Sequence, residues 1–558
     1  MCVIGIDVGG TNTDAALISE DNRVHALVKT ATDHDNILGS TKTALEQILT
    51  YNQGNQPVQL HLSTTLSTNA IVEGRGESAA VLALPGPGIN LGDFGFDFPI
   101  FTIQGYIDHR GRQVADIDRE EVLRIADQAA DNGAKSLAVV GKFSHRNNSL
   151  EIKVKEIIES EGLRFNQITL GHQLSGRLNF PRRIMSAYLN ASVAALQIGF
   201  VEVIEELMRV NPIIADVRIL KADGGTMSLA ESCRRPIETI LSGPAASIMA
   251  AQALSSYTDE NIVVIDIGGT TTDIAVIVGG EPLYQRSGAE IGGYQTLVPA
   301  LLTYSIGLGG DSEVHIQGRT IRLGPRRAGR AVCLGGSQLT PTDAAAALEL
   351  ADIGDRQKAV QVLEKAAEGK FSSWKILAEA ILEAFAEQLS QAVNDIYSSL
   401  ENVPVYTVSE ILAPPDIRPR AVVGLGAPAE VFIPLGAQKL GLPWEILPHH
   451  AGANGIGAAA ARPTIAVTLH ADTEQEVMII PELGYQERIR RNILFDLKKA
   501  RRTAVEQTAL YAQQLGLKDY GDIHIVEEEA FNVVRGFHTV GKIFNIRAQI
   551  RPGVERLR

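Results

Sequence analysis

The chain of 558 residues, 45% hydrophobic and 21% charged, has room for two large domains and a smaller piece, and its composition excludes the disordered and collagenous classes. A formal net charge of -14 argues against general attraction to nucleic acid or to an anionic membrane surface, leaving room only for a local basic pocket. Cys2, Cys233 and Cys333 are too few and too scattered for a disulfide framework or a Cys-based zinc site, and they fit a reducing cytoplasm.

From the N-terminus, "CVIGIDVGGTNTDAALI" reads as a hairpin of two apolar strands joined by a Gly/Thr/Asn turn. The start lacks a basic leader, so no secretory signal is expected, and no apolar run long enough for a membrane span is seen. "NILGSTKTALEQILTY" has helical spacing, "SAAVLALPGPG" is a buried strand stopped by Pro85 and Pro87, "EEVLRIADQAADNG" is a helix ending at Gly133, and "KSLAVVGKF" is a strand. This alternation predicts an α/β architecture. The long helix "RRIMSAYLNASVAALQIGFVEVIEELMR" is expected to bridge two lobes. It is followed by the strand "VRILKADGG" and by an Ala-rich helix after the Gly-Pro step of "LSGPAAS".

At Ile265 the chain writes "IDIGGTTTDIAV", nearly a copy of the "IDVGGTNTDAAL" that starts at Ile6. Residues 340 to 402 are Ala, Leu, Glu and Lys rich with amphipathic spacing, and are expected to form a helical subdomain. "PRAVVGLGAPAEVF" is a strand and glycine turn, and "HHAGANGIGAAAARP" is an Ala/Gly helix. The rest, from Thr464, alternates strand, helix and strand as a small appendage.

A Gly-Gly-Thr turn can bring backbone N–H groups close to an anion, because glycine has no Cβ to hold the ligand away. A lone copy has an equally plain explanation, since a tight hairpin needs glycine anyway. Two copies in matching context imply two similar lobes facing each other with a nucleotide between them. Asp7 and Asp266 each end an apolar strand, where a carboxylate needs a cation or a donor, and Mg2+ with its waters is a suitable one. The doubled motif resembles the actin, sugar kinase and Hsp70 superfamily.

Together with "LSTTLSTNAIVEGRG", "LKADGGTMSLAESCRRPIETILSGPAASIMAA", "YSIGLGGDS" and "TPTDA", it resembles the hydantoinase/oxoprolinase family of the N-methylhydantoinase A type, over about residues 1 to 462. The resemblance implies a two-lobed actin-like (ribonuclease H-like) α/β ATPase fold with a helical insertion. Domains are expected at 1–180 (first lobe), 181–340 (second lobe), 341–402 (helical subdomain), 403–462 (return to the ATPase core) and 463–558 (α/β appendage).

It also implies ATP and Mg2+ as cofactors, and ATP-dependent attack on a cyclic amide through phosphorylation of its carbonyl oxygen. Asp7 and Asp266 would act as catalytic and metal-binding residues. Gly9, Gly10, Thr11, Asn12, Thr13 and Asp14 would form one phosphate loop, and Gly268, Gly269, Thr270, Thr271, Thr272 and Asp273 the other. Asp14 and Asp273 could alternatively cap their own turns. Gly424, Gly426 and Ala427 would lie beside the adenosine, and Ser63, Thr64, Thr65, Asn69, Ser242, Gly243 and Asp311 on the substrate side.

Asp311, the arginines Arg326, Arg327 and Arg330, and Lys221 depart from the family pattern. A small molecule is the implied substrate, with a hydantoinase B-type second subunit or a homo-oligomer as partner, and no nucleic acid or membrane. The alternatives are a carboxylase subunit, a small-molecule kinase and a non-catalytic ATP-gated partner protein. His449 and His450 have no third ligand at recognisable spacing, so a structural role is expected of them.

Overall fold

The computed structural model describes residues 1–33, 36–52, 56–163, 165–285, 287–401, 416–489, 495–517 and 520–557. Two of its sheets share one design. In the first, Val24–Ala31, Asn12–Ile18, Cys2–Val8, Val58–Thr64 and Ile214–Leu220 lie side by side in that order. The first three are antiparallel and the last three parallel. In the second, Glu281–Pro282, Thr272–Val278, Ile262–Ile267, Ala421–Leu425 and Trp444–Ile446 repeat both the order and the directions. Their central strands are continuous apolar runs because both faces are covered. Ile4, Ile6, Val263 and Val422 are fully buried, and each such side chain contributes roughly 1.5–3 kcal/mol relative to exposure. The two-lobed α/β fold expected from the sequence is therefore present.

The expected lobe boundary at residue 180 assigns Ile214–Leu220 to the second lobe, but the strand pairs with Val58–Thr64 of the first. The reason is the 31-residue helix Phe180–Val210, which returns the chain to the first sheet as the crossover a parallel neighbour requires. This helix is long and apolar enough to cross a membrane, contrary to the sequence expectation. However, 67% of its most apolar window is buried inside the protein, as befits a core helix. Between the first-lobe strands lies an all-parallel sheet of its own, in the order Ile168–Leu170, Ser136–Gly141, Ala79–Leu84, Ile100–Thr102.

Helices Pro341–Ala347, Arg356–Ala367 and Trp374–Glu401 pack with Ala429–Leu440 against the second sheet, where the rings of Phe385 and Phe432 stack at 4.0 Å. The end of the helical stretch at residue 402 lies outside the described residues. At the C-terminus an antiparallel sheet runs Tyr485–Arg488, Val477–Ile480, Ala466–Asp472, His538–Ile550, Ile523–Arg535, with helix Leu497–Gln514 packed against it.

Helix Ala453–Ala460 forms the seam between the lobes. It touches strand Cys2–Val8 on one side and helix Ser242–Leu254 on the other. Two glycines permit this approach: a Cβ at Gly5 would fall 2.1 Å from Gly455 O, and one at Gly457 would fall 1.9 Å from Ala246 O.

Candidate functional site in the interlobe cleft

The twin hairpins place their motifs in the same register. Asp7 lies opposite Asp14 and Val8 opposite Thr13; Asp266 lies opposite Asp273 and Ile267 opposite Thr272. The Gly9 amide donates to Asn12 O at 3.1 Å and the Gly268 amide to Thr271 O at 2.9 Å, so both turns close alike.

The carboxylates that end the central strands meet at the seam. Ser247 Oγ donates to Asp266 Oδ2 at 2.6 Å, and Asn454 Nδ2 lies 3.3 Å from the same oxygen. Burial pushes the Asp7 carboxyl up to about 7; Ser63 and Asn454 oppose this by hydrogen bonding, while the charges of Asp14 and Asp266 add to it. Asp266 is raised by the same burial, with Ser247, Asn454 and Lys29 opposing. Burial also raises Asp273, to about 6, and Asp14, which Lys29 counters with a 2.7 Å ion pair.

The Asp7 shift has a stability consequence. A carboxyl whose folded pKa is raised favours the fold while protonated, and that contribution is lost as pH rises through about 7. Asp7→Asn is therefore expected to be more stable than the wild type at pH 8, by up to about 4 kcal/mol for a shift of this size, with the difference closing near pH 4. Urea unfolding of both proteins across that pH range checks it; equal stability at pH 8 would count against the buried-acid assignment.

Asp7 Oδ1 is buried without a hydrogen-bond partner. Facing carboxylates with an unspent oxygen fit a hydrated Mg2+, which takes one or two carboxylates and fills its shell with water and phosphate. Among the described residues, no group of three His, Cys, Asp or Glu side chains could cage a metal.

"GLGGDS" is laid over the second turn: Gly310 N donates to Gly268 O at 3.0 Å and Asp311 N to Gly269 O at 2.7 Å. Arg327 pairs with Asp311 at 2.8 Å, and its Nη1 lies 3.5 Å from Thr11 Oγ1 of the other lobe. One guanidinium thus spans the two turns. Arg326 and Arg330 are exposed and form no ion pair among the described residues.

Gly426, at φ +93°, sits against the back of Asp266, where a Cβ would fall 2.7 Å from Oδ1. The "GLGAP" turn, with Gly424, Gly426 and Ala427, therefore adjoins the carboxylate as well as Gly310, whose own Cβ would meet Pro428 at 3.2 Å. Thr342 of "TPTDA" donates to Gly310 O at 2.7 Å. His450 uses Nδ1 on Gly426 O at 2.9 Å, a structural contact that buttresses this turn.

"STTLSTNA" and "SGPAAS" are tied together. Ser63 Oγ lies 3.2 Å from Ser242 Oγ, which donates to Thr64 O at 3.0 Å and accepts from Thr64 N at 3.2 Å. Thr65 donates to Val8 O at 3.3 Å, and Asn69 to Thr65 Oγ1 at 3.2 Å. Around Gly243 there is open space.

Two expected phosphate ligands point elsewhere. Thr13 and Thr272 are fully buried, their hydroxyls held by Thr32 at 2.9 Å and by Leu308 O at 2.6 Å. They brace the turns from behind, because side chains alternate across a strand. Asn454, Lys29 and the bridging role of Arg327 escape the sequence reading; a lone Asn in an Ala/Gly helix was the available signal for the first.

The chain is 24% identical over 384 residues to the caprolactamase alpha subunit of Pseudomonas jessenii, covering 63% of this chain and 55% of that one. It is 27% identical over 394 residues to the acetophenone carboxylase gamma subunit of Aromatoleum aromaticum, covering 61% and 52%. The matched part thus spans about half the length of these relatives. The crystal structure of the ATP-dependent caprolactamase from Pseudomonas jessenii has the same fold, with a TM-score of 0.75 at 19% identity over 100% of this chain and 88% of that one. Residues 3–162 match the hydantoinase/oxoprolinase N-terminal region and residues 183–467 the hydantoinase/oxoprolinase family itself. Taken in order along most of its length, those two matches make this chain a member of the hydantoinase/oxoprolinase family.

Proposed function

We propose that this protein is an ATP-dependent hydrolase of cyclic amides, of the hydantoin or lactam type, working as one subunit of a larger cytoplasmic enzyme. The observation that carries the reading is the pair of Gly-Gly-Thr turns in identical register, with Asp7 and Asp266 at their feet. A relative that is an ATP-dependent caprolactamase supports it.

An amide carbonyl is a poor electrophile. Transfer of the γ-phosphoryl group to its oxygen, with ADP leaving, activates the carbon for water, and the products are inorganic phosphate and the ring-opened acid. The two turns supply fixed donors to the phosphate oxygens. Asp7 would orient the attacking water. Asp7 and Asp266 would hold Mg2+, which supplies charge neutralisation on the phosphates.

Arg327 adds a second cation between the turns. Arg327→Ala is expected to lower turnover about 100-fold or more with a smaller loss in ATP affinity, and Arg327→Lys to restore little, because the guanidinium fork is what reaches both Thr11 and Asp311. Steady-state kinetics with ATP titrations reads this.

The reading is tested by incubating the protein, with any co-purifying subunit, with ATP and lactams or hydantoins labelled with heavy oxygen in the carbonyl. Label appearing in inorganic phosphate beside a ring-opened acid is the expected result. A stable phosphorylated product would make it a kinase, and slow ATP turnover indifferent to every small molecule would make it an ATP-gated partner protein. The carboxylase relative favours a second reading, and bicarbonate-dependent phosphate release with a ketone would establish it instead.

A further inference from the structure

A cavity of about 60 Å³ lies away from the cleft carboxylates, where the first lobe meets the C-terminal sheet. Its charged walls are largely spent on one another. Lys221 reaches Asp223 at 3.1 Å and Glu238 at 3.6 Å; Arg235 reaches Glu238 at 3.5 Å and Glu231 at 4.0 Å. Glu482 accepts from the backbone amides of Gly176 at 3.2 Å and Thr468 at 3.1 Å.

Two groups are left over. The Arg547 side chain, in a residue 9% exposed, forms no hydrogen bond or ion pair among the described residues. The Thr226 hydroxyl, in a residue 1% exposed, is buried without a partner. Both residues line the cavity. Burial disfavours the Arg547 charge, and only the more distant Glu482, Glu238 and Asp223 offset this.

An unspent guanidinium in a largely buried site is complementary to a carboxylate, which it can grip with two parallel hydrogen bonds; Arg547 stands between this cavity and a larger one lined by Arg177 and Glu527. The wall as a whole, however, sets the four acids Asp223, Glu231, Glu238 and Glu482 against the three bases Lys221, Arg235 and Arg547. A simple anion would deepen that imbalance, whereas a ligand that also carries an ammonium would not. The volume is that of about four water positions, so the ligand is short.

We propose that this cavity binds a small zwitterionic amino acid, its carboxylate on Arg547, its ammonium toward Glu238, whose contacts with Lys221 and Arg235 at 3.6 and 3.5 Å are loose enough to leave it acceptor capacity, and the Thr226 hydroxyl completing the set. The proposal does not rest on the reading of the cleft. No step of bond making is involved; the site is one of recognition.

The full-length protein without nucleotide is tested by thermal shift and calorimetry against glycine, β-alanine, acetate, ethylamine and 6-aminohexanoate. Glycine or β-alanine is expected to raise the midpoint by about 2 °C at saturating concentration. Acetate, ethylamine and the longer amino acid should have little effect. Arg547→Gln and Thr226→Val should each weaken the binding by about 10-fold or more. Should the buried arginine variant fail to fold, the threonine variant, which removes one unpaired hydroxyl, carries the test. Absence of amino acid binding to the wild type, equal binding of acetate alone, or binding unchanged in Thr226→Val would overturn the proposal.

Discussion

Asp266→Asn is expected to lower turnover by about three orders of magnitude while leaving the protein folded. The carboxylate accepts from Ser247 at 2.6 Å and lies 3.3 Å from Asn454 Nδ2. An amide of the same shape keeps the Ser247 bond through its oxygen. Because burial already raises the Asp266 pKa, loss of the charge does not cost the fold. On the proposed reading, what is lost is the anionic partner for a cation at the phosphates, and interactions with charge that develops in the transition state are the ones whose removal costs about 100- to 1000-fold. Phosphate release measured beside circular dichroism and urea unfolding separates the two effects. Normal turnover in this variant would remove Asp266 from the site.

A second large effect is expected at the seam. Gly457→Val should destabilise the protein by about 3 kcal/mol or more, since overpacking costs 1–3 kcal/mol even where neighbours can yield. Here the neighbours are backbone: a Cβ would fall 1.9 Å from Ala246 O and 2.7 Å from Ala250 N. The helices must separate, and with them Asn454 from Ser247, whose hydroxyl lies 3.0 Å from Asn454 Oδ1. Loss of nucleotide binding should therefore accompany the loss of stability. Gly199→Ala is the control: this helical glycine has open space where the Cβ would stand, so the change should stabilise by about 0.4–1 kcal/mol. Urea unfolding of the two variants against the wild type decides it, and a Gly457→Val protein of unchanged stability would refute the close packing.

The parts of the site that are local in sequence were legible there. "IDVGGTNTD" and "IDIGGTTTD" announce strand, turn and strand by composition, and the register of Asp7 with Asp14 and of Asp266 with Asp273 follows from the turn length. The direction of individual side chains was less accessible. Thr13 and Thr272 share their motif with Thr11 and Thr270, but they belong to the strands Asn12–Ile18 and Thr272–Val278, with their hydroxyls bonded inside the protein, whereas Thr11 and Thr270 lie in the turns. Contacts between distant segments were not legible at all. No local pattern tells that Asn454 lies beside Asp266 or that Arg327 crosses to Thr11. The lobe boundary failed for the same reason, because Ile214–Leu220 joins a sheet whose nearest strand ends at Thr64.

The seam helix also bears on how the chain folds. Lys29 donates to Ala451 O across a separation of 422 residues, and His61 holds Ala458 O across 397. Neither contact can form on a growing chain until Ala451 and then Ala458 have left the ribosome, so the first hairpin waits across those separations with one face of Cys2–Val8 uncovered. Long-range closures of this kind are slow, since loop entropy must be overcome before the contact rewards it. Truncation just before residue 450 should therefore leave an apolar strand for chaperones to hold, and completion of the cleft should be among the last events of folding.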